Sequence, residues 1–329
     1  MTFLETVHKP KAFPRSSAAF KECFNTNEKC LKYIVSIKWL NGWNCSRCSH
    51  DKYSFISTRN LIRCKKCKYE ESFIANTMLR YSKKPIRFWF WTIYLLSTKK
   101  MGLRAIDLYR ELDFGSYRIA WQWLHIIRKT MVSNESRKLK GNVEIYVDYI
   151  KVARVKKSCG NKCQKILLVC AAEVYFGRRN APIIKRIRLG ILQNDSIDEL
   201  KSFINTCVGH PSVVVLVDRR MCYKGLTESG TRGPLYIIKD PREVRRKFRK
   251  VQKIYSQLRT CLIKSNRFIS LKRMKDYLNE YAFGFNRGNN PQKCFNDLLR
   301  SILLNPEQSD TDLWIWIVLW QKSFPGKEQ

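Results

Sequence analysis

Val143–Ile150 reads VEIYVDYI, and the reading of this stretch decides the fold. Val143, Ile145 and Val147 share one parity, while Glu144, Tyr146 and Asp148 share the other. Such period-2 alternation predicts a β-strand with an apolar face and a polar face. Downstream, Val213–Val217 is a continuous apolar run that predicts a buried strand, and it ends at Asp218. Upstream lies a region rich in the signals of nucleic-acid binding. The expected class is therefore a multidomain α/β protein with small binding modules ahead of a mixed-sheet domain.

The 329 residues hold 63 Lys+Arg against 27 Asp+Glu, a formal charge of +36, with 44% hydrophobic residues. That hydrophobic share supports a packed core and excludes a basic disordered tail. A charge so large points to a polyanionic partner, and double-stranded DNA leads because phosphates attract Lys and Arg whatever the sequence. A membrane is not expected: there is no basic amphipathic anchor, no lipidation signal and no secretory signal. The longest apolar run, Leu313–Trp320, is less than half of the ~20 residues that a span needs, and reads as a buried strand or short helix. Thirteen cysteines, an odd number in a large chain, suit a reducing compartment.

Two of the cysteine pairs carry a pattern. Cys45-Ser-Arg-Cys48 is separated by fifteen residues from Cys64-Lys-Lys-Cys67. Each CxxC knuckle turns two thiolates toward one ion, and the intervening hairpin closes a tetrahedron, so Cys45, Cys48, Cys64 and Cys67 predict a zinc ribbon with structural Zn²⁺. Four thiolates leave no open coordination position for catalysis. His50 does not fit the knuckle and reads as a surface residue, and the Cys159/Cys163 pair reads as incidental.

A helical pattern precedes the ribbon, from Asn25 to Trp39, after a loose lead-in. Beyond the ribbon, Pro85–Ser97 predicts a helix opened by proline and apolar around most of its surface. Its Phe88, Trp89, Trp91, Tyr94 and Leu95 read as core and not as a base-stacking platform. Leu103–Leu112, the turn Asp113–Ser116 and Tyr117–Met131 form helix, glycine-containing turn and helix, the helix-turn-helix pattern. Its second helix would offer Tyr117, Arg118 and Gln122 to bases in the major groove, with Ile119, Leu124 and Ile127 inward. The expected boundaries are a lead-in over 1–24, the ribbon with its preceding helix over 25–80, the helix-turn-helix over 81–135, the mixed-sheet domain over 140–290 and an extension over 291–329.

Cys45–Cys67, Phe88–Met131 and VEIYVDYI, followed by VDRRMCYKGL (Val217–Leu226) and YLNEYAFGFNR (Tyr277–Arg287), resemble in the same order the insertion-sequence transposases with an amino-terminal zinc ribbon, and their eukaryotic relatives, the Merlin-element transposases. The resemblance covers roughly residues 25–290. It implies an RNase H-like domain with an Asp-Asp-Glu triad holding two divalent cations about 3.5–4 Å apart for phosphodiester chemistry. Hard Mg²⁺ takes oxygen ligands, which is why the triad consists of carboxylates.

Residue by residue, the carry-over is uneven. Asp218 matches the second acid. The family pattern Val-Glu-x-Asp-Glu-Thr-Tyr-Ile, set in register by Val143, Glu144, Tyr149 and Ile150, puts Tyr146 at the first acid. Asp148 then lies on the same face, ~6.5–7 Å further along. The third acid falls at about Gln252, and Val244–Lys275 contains no Asp or Glu. Glu243, if helical with Gln252, would be half a turn out of phase and ~13.5 Å away.

Arg242–Lys275 instead holds thirteen basic residues and one acid. With so few acids for i,i+4 pairing, this run predicts a phosphate-contacting surface, densest at Arg245, Arg246, Lys247, Arg249 and Lys250.

Three functional expectations follow. The first is a transposase-derived DNA-binding protein, impaired in cleavage and strand transfer. The second is an active transposase using Asp148, Asp218 and a further ligand, with Mg²⁺ needed in that case. The third is an RNA- or protein-interaction module. A homo-oligomer stays open, and the expected location is the nucleus in a eukaryote or the cytoplasm and nucleoid in a bacterium.

Overall fold

The computed structural model describes residues 13–39, 42–56, 59, 61–74, 77–79, 84–99, 102–112, 114–133, 137–154, 162–177, 182–217, 234–238, 240, 242–243, 248–265, 271–288 and 290–304. Asp218, Arg245, Arg246, Lys247, Cys159 and the Leu313–Trp320 run lie outside the described residues. The chain forms two compact units, one made of the segment up to Thr98 together with the segment from Pro291 on, the other of Lys99–Asn290.

The first unit begins with two capped helices. Ser16 accepts the Ala19 N–H ahead of α1 (Ser17–Cys23), and Thr26 accepts the Lys29 N–H ahead of α2 (Asn27–Lys38), so each hydroxyl satisfies a donor that the helix itself leaves open. A three-stranded antiparallel sheet follows, β1 (Tyr53–Ile56), β2 (Leu61–Cys64) and β3 (Glu70–Ser72). Its apolar side, Ile62 and Phe73 with Trp43, packs on Leu31 and Val35 of α2. Next comes α3 (Ile86–Thr98), with all residues from Trp89 to Leu96 buried, as its apolar circumference predicts. The last helix of the unit is α9 (Pro291–Leu304).

Two expectations about the chain ends are corrected here. The lead-in is not loose throughout, because α1 sinks Phe20 to 1% exposure, stacked 4.1 Å from Tyr94 and 5.7 Å from Trp91. Nor is the segment from 291 a separate extension up to Leu304: Phe295 of α9 is fully buried 5.6 Å from Phe20 and 5.7 Å from Phe90. Tyr33 of α2 lies 6.0 Å from Phe295, so aromatic rings from four helices make one core.

The second unit opens with α4 (Ala105–Leu112) and α5 (Tyr117–Ser133), joined across Gly115, whose φ of +69° is a turn conformation that side-chain-bearing residues adopt with difficulty. A five-stranded mixed sheet follows. Its strands are β4 (Leu139–Arg154), β5 (Lys162–Phe176), β6 (Pro182–Leu192), β7 (Val208–Val217) and β8 (Leu235–Ile238). The spatial order is β6-β5-β4-β7-β8, antiparallel from β4 to β6 and parallel among β4, β7 and β8. Three consecutive antiparallel strands with two parallel ones added beside the first give the RNase H-like arrangement.

Helices cover both faces of this sheet. On one side α6 (Ile197–Cys207) packs Leu200 and Ile204 on Val143, Ile145 and Val147. Gly190 of β6 is required on this side, since a Cβ there would meet the Phe203 ring of α6 at 2.6 Å. On the other side lie α7 (Arg249–Ser265) and α8 (Leu271–Asn286), whose Val251, Leu258, Met274 and Leu278 pack with Tyr146, Ile150 and Cys170. The expected polar face of β4 is therefore a second core. Burial on both faces is what central strands of parallel-containing sheets meet.

Candidate functional site

The ribbon cysteines come together from two equivalent knuckles. In the first, the Cys45 N–H bonds the His50 carbonyl at 2.9 Å and the Ser49 N–H bonds the Cys45 carbonyl at 2.9 Å. In the second, Cys64 bonds Tyr69 at 2.9 Å and Lys68 bonds Cys64 at 3.1 Å in the same pattern. Ser49 and Lys68 each follow the second cysteine of a knuckle and share a left-handed backbone, φ +56° and +59°. Sγ of Cys45 is 3.6 Å from that of Cys67, and Cys48 is 3.6 Å from Cys64; all four sulfurs lie within 4.8 Å of one another. Tetrahedral zinc with bonds of ~2.3 Å sets its sulfurs ~3.8 Å apart, so the four thiolates fit that ion. This is a structural Zn²⁺ site. His50 contributes a carbonyl to the turn and no ligand.

On β4, Tyr146 pairs with Val217 at the last rung of β7, and β4 then runs on beyond that edge. Tyr146 is 4% exposed, with its ring 5.2 Å from Tyr255 of α7 in edge-to-face contact. Its hydroxyl donates to Asp148 Oδ2 at 3.3 Å, while Asp148 Oδ1 accepts the Tyr149 N–H at 2.8 Å. The Tyr255 hydroxyl donates to the Asp148 backbone carbonyl at 2.6 Å, which fastens α7 to this part of the strand. Burial, with the Asp148 charge nearby, pushes the Tyr255 phenol up, so it stays a neutral donor.

Residues 25–70 match the family model described as a transposase zinc-ribbon domain, and residues 138–286 match the ISXO2-like transposase domain. The chain belongs to the zinc-ribbon insertion-sequence transposases. No curated protein matches it.

Set against the triad of these transposases, the described residues bring one carboxylate, Asp148, to the end of the β4–β7 pair. Glu144 lies on the same face four residues earlier, ~13 Å along the strand, too far to share an ion with it. Burial pushes the Glu144 carboxyl up to about 7. In the sequence Glu144 marks the register of the strand, and its parity with Tyr146 is the signal that it, too, faces the helices. Gln252 sits one turn before Tyr255 on α7, and its Nε2 is buried with no hydrogen-bond partner among the described residues. Among the described residues the four cysteines are the one group of three or more His, Cys, Asp or Glu side chains close enough together to hold a metal.

The transposase's basic and helical elements divide between surface and core. Tyr117, half exposed, and Arg118 project from the first turn of α5, and Gln122 is partly covered one turn on. From Trp123 to Arg128 every residue is buried. His125 Nδ1 is 2.9 Å from Asp276, and Arg128 Nε donates to Glu280 at 2.8 Å, both carboxylates being on α8. Arg273 covers Trp121, its guanidinium 4.8 Å from the ring. Among the described residues, the exposed ones of α5 are therefore confined to its first turn. Arg249 and Lys250 are exposed at the start of α7, where the Lys250 ammonium bonds the Pro182 carbonyl. No described helix is long and apolar enough to cross a membrane.

Proposed function

We propose that this transposase-family chain is a DNA-binding protein impaired in strand cleavage and strand transfer. The observation that carries the reading is the setting of Tyr146. At the position that the family resemblance gives to the first acid, a phenol is buried in an apolar cluster and roofed by Tyr255. A phenol is neutral near pH 7 and a poor magnesium ligand. Gln252, at the third position, brings an amide and no charge. Two metals held by this set would have one or two formal negative charges in place of three, against what the two-metal chemistry needs.

DNA engagement rests on the +36 charge and on Tyr117, Arg118, Arg249 and Lys250 at the surface. In this reading Arg245, Arg246 and Lys247 contact phosphates as well. Binding should weaken steeply with salt, log K falling with a slope of roughly −0.9 per phosphate neutralised. Arg118→Ala should lower that slope by about 1 if the side chain contacts a phosphate.

Incubation of the full chain with its own element ends, in Mg²⁺ or Mn²⁺, tests the impairment. The expected product is intact DNA. Robust cleavage that disappears in Asp218→Ala would overturn the impairment and favour the active reading with Asp148, Asp218 and a further ligand.

A further inference from the structure

At the end of the β5–β6 pair, beside Tyr149 of β4, the second unit holds a cavity of about 660 Å³. That volume is in the range of small-ligand sites. Its lining includes the apolar Leu167–Leu192 pair of neighbouring strands. Tyr149, the loop Gln193–Asp195, Lys165 and Lys275 line it as well.

The loop is held in place before any ligand arrives. Glu199 Oε2 accepts the N–H groups of Gln193 at 2.7 Å and Asn194 at 3.0 Å, while Ser196 caps α6 immediately after. Asp195 Oδ2 accepts the Tyr149 hydroxyl at 3.5 Å. Tyr149 keeps 42% of its surface exposed, and its backbone N–H is bonded to Asp148.

These groups correspond one by one to the parts of a nucleotide. An aromatic ring stacks any base, two lysines attract its flanking phosphates, and the Asn, Gln and Asp side chains can read a base edge. A paired base in duplex DNA presents neither its ring face nor its Watson–Crick edge to such a cavity; an unpaired one presents both. We propose that the cavity at Tyr149 receives a single unpaired nucleotide of a DNA strand. The proposal rests on the DNA-binding reading above, and extends it from duplex to a position where the duplex is open.

The test uses the full-length protein and two oligonucleotide duplexes, identical except that one carries a single extrahelical 2-aminopurine. The native chain should bind the second about tenfold more tightly, with a change in 2-aminopurine fluorescence as the base stacks on the ring. Tyr149→Ala should abolish that preference while paired DNA is bound as before, and Tyr149→Phe, which retains the ring, should preserve it. Tyr149 is exposed, so neither variant should disturb the fold, and circular dichroism checks this. Equal affinity of the native chain for both duplexes, or a preference untouched by Tyr149→Ala, overturns the cavity assignment and leaves duplex binding standing. Failure to bind either duplex overturns both readings.

Discussion

The guanidinium of Arg128 on α5 and the carboxylate of Glu280 on α8 are joined at 2.8 Å with Arg128 only 2% exposed. Glu280 Oε1 also accepts the Leu103 N–H at 3.2 Å, and Arg128 Nη2 donates to the Leu103 carbonyl at 2.7 Å. The Tyr277 ring lies 4.3 Å from the guanidinium. One ion pair therefore ties α5, α8 and the entry to α4 together within the second unit. Removing one partner of such a pair strands a buried charge, so Arg128→Ala should cost about 3–5 kcal/mol. Arg128→Met should cost less, because it packs the space without leaving polar atoms of its own. Urea denaturation read alongside hydrogen exchange of α5 measures both, and a loss below about 1 kcal/mol would show that water reaches the pair.

Glu144 gives the sheet a dependence on pH. Its folded carboxyl titrates at about 7, well above the ordinary glutamate range near 4.3, because burial disfavours its charge. Between those two values the unfolded chain has released a proton that the folded chain keeps. Stability from this group is full below about pH 4, falls as pH rises through 7, and is level above that. Glu144→Gln stays neutral throughout, so its stability relative to the native chain should improve from pH 5 to pH 8. An equal difference at both pH values, by denaturation midpoint, would falsify the burial of this carboxyl.

Zinc removal should unfold the ribbon. The β1–β3 sheet is three short strands around seven buried residues, Leu31 to Phe73, two of them ligand cysteines. Structural zinc sites contribute about 10–16 kcal/mol of apparent binding free energy at neutral pH, far more than so small a core. Chelation, or Cys64→Ser, should therefore abolish amide protection over Cys45–Ser72. Protection that survives a chelator able to strip the metal would overturn the four-cysteine site.

Phe295 belongs to the first unit as firmly as Phe20 does. It is fully buried among Phe20, Phe24, Tyr33 and Phe90, and Phe295→Ala should cost about 3–5 kcal/mol. The loss should register in thermal unfolding followed by near-ultraviolet dichroism, which reports aromatic packing. A change under 1 kcal/mol would mean that α9 is not part of this core.

The local signals were the legible ones. A CxxC knuckle is specified by four adjacent residues, so the zinc site needed no knowledge of the fold, and the alternation in VEIYVDYI placed β4. The fate of its second face was not legible, since Glu144, Tyr146 and Asp148 alternate identically whether water or a helix covers them. The apolar positions Val251, Ile254, Tyr255 and Leu258 were the available sign of that helix, obscured by the basic residues Arg249, Lys250, Lys253 and Arg259 around them. The burial of His125 and Arg128 was not legible either, because the carboxylates that make it tolerable are about 150 residues away, at Asp276 and Glu280. The first unit's core was hidden by distance too: Tyr33 and the Asn296 side chain it bonds at 2.6 Å are 263 residues apart.

That separation has a consequence for how the protein is made. The Met78 N–H bonds the Ile302 carbonyl, and α9 packs on α2 and α3, so the first unit is discontinuous and the whole second unit is spliced into it. Ribosomes add roughly 5–20 residues each second, so roughly 10–40 s pass between the emergence of α3 and of α9. Over that interval Phe20 and Phe90 lack Phe295 of the helix that covers them, while the second unit is being made. The first unit can therefore close only after the whole second unit has been made.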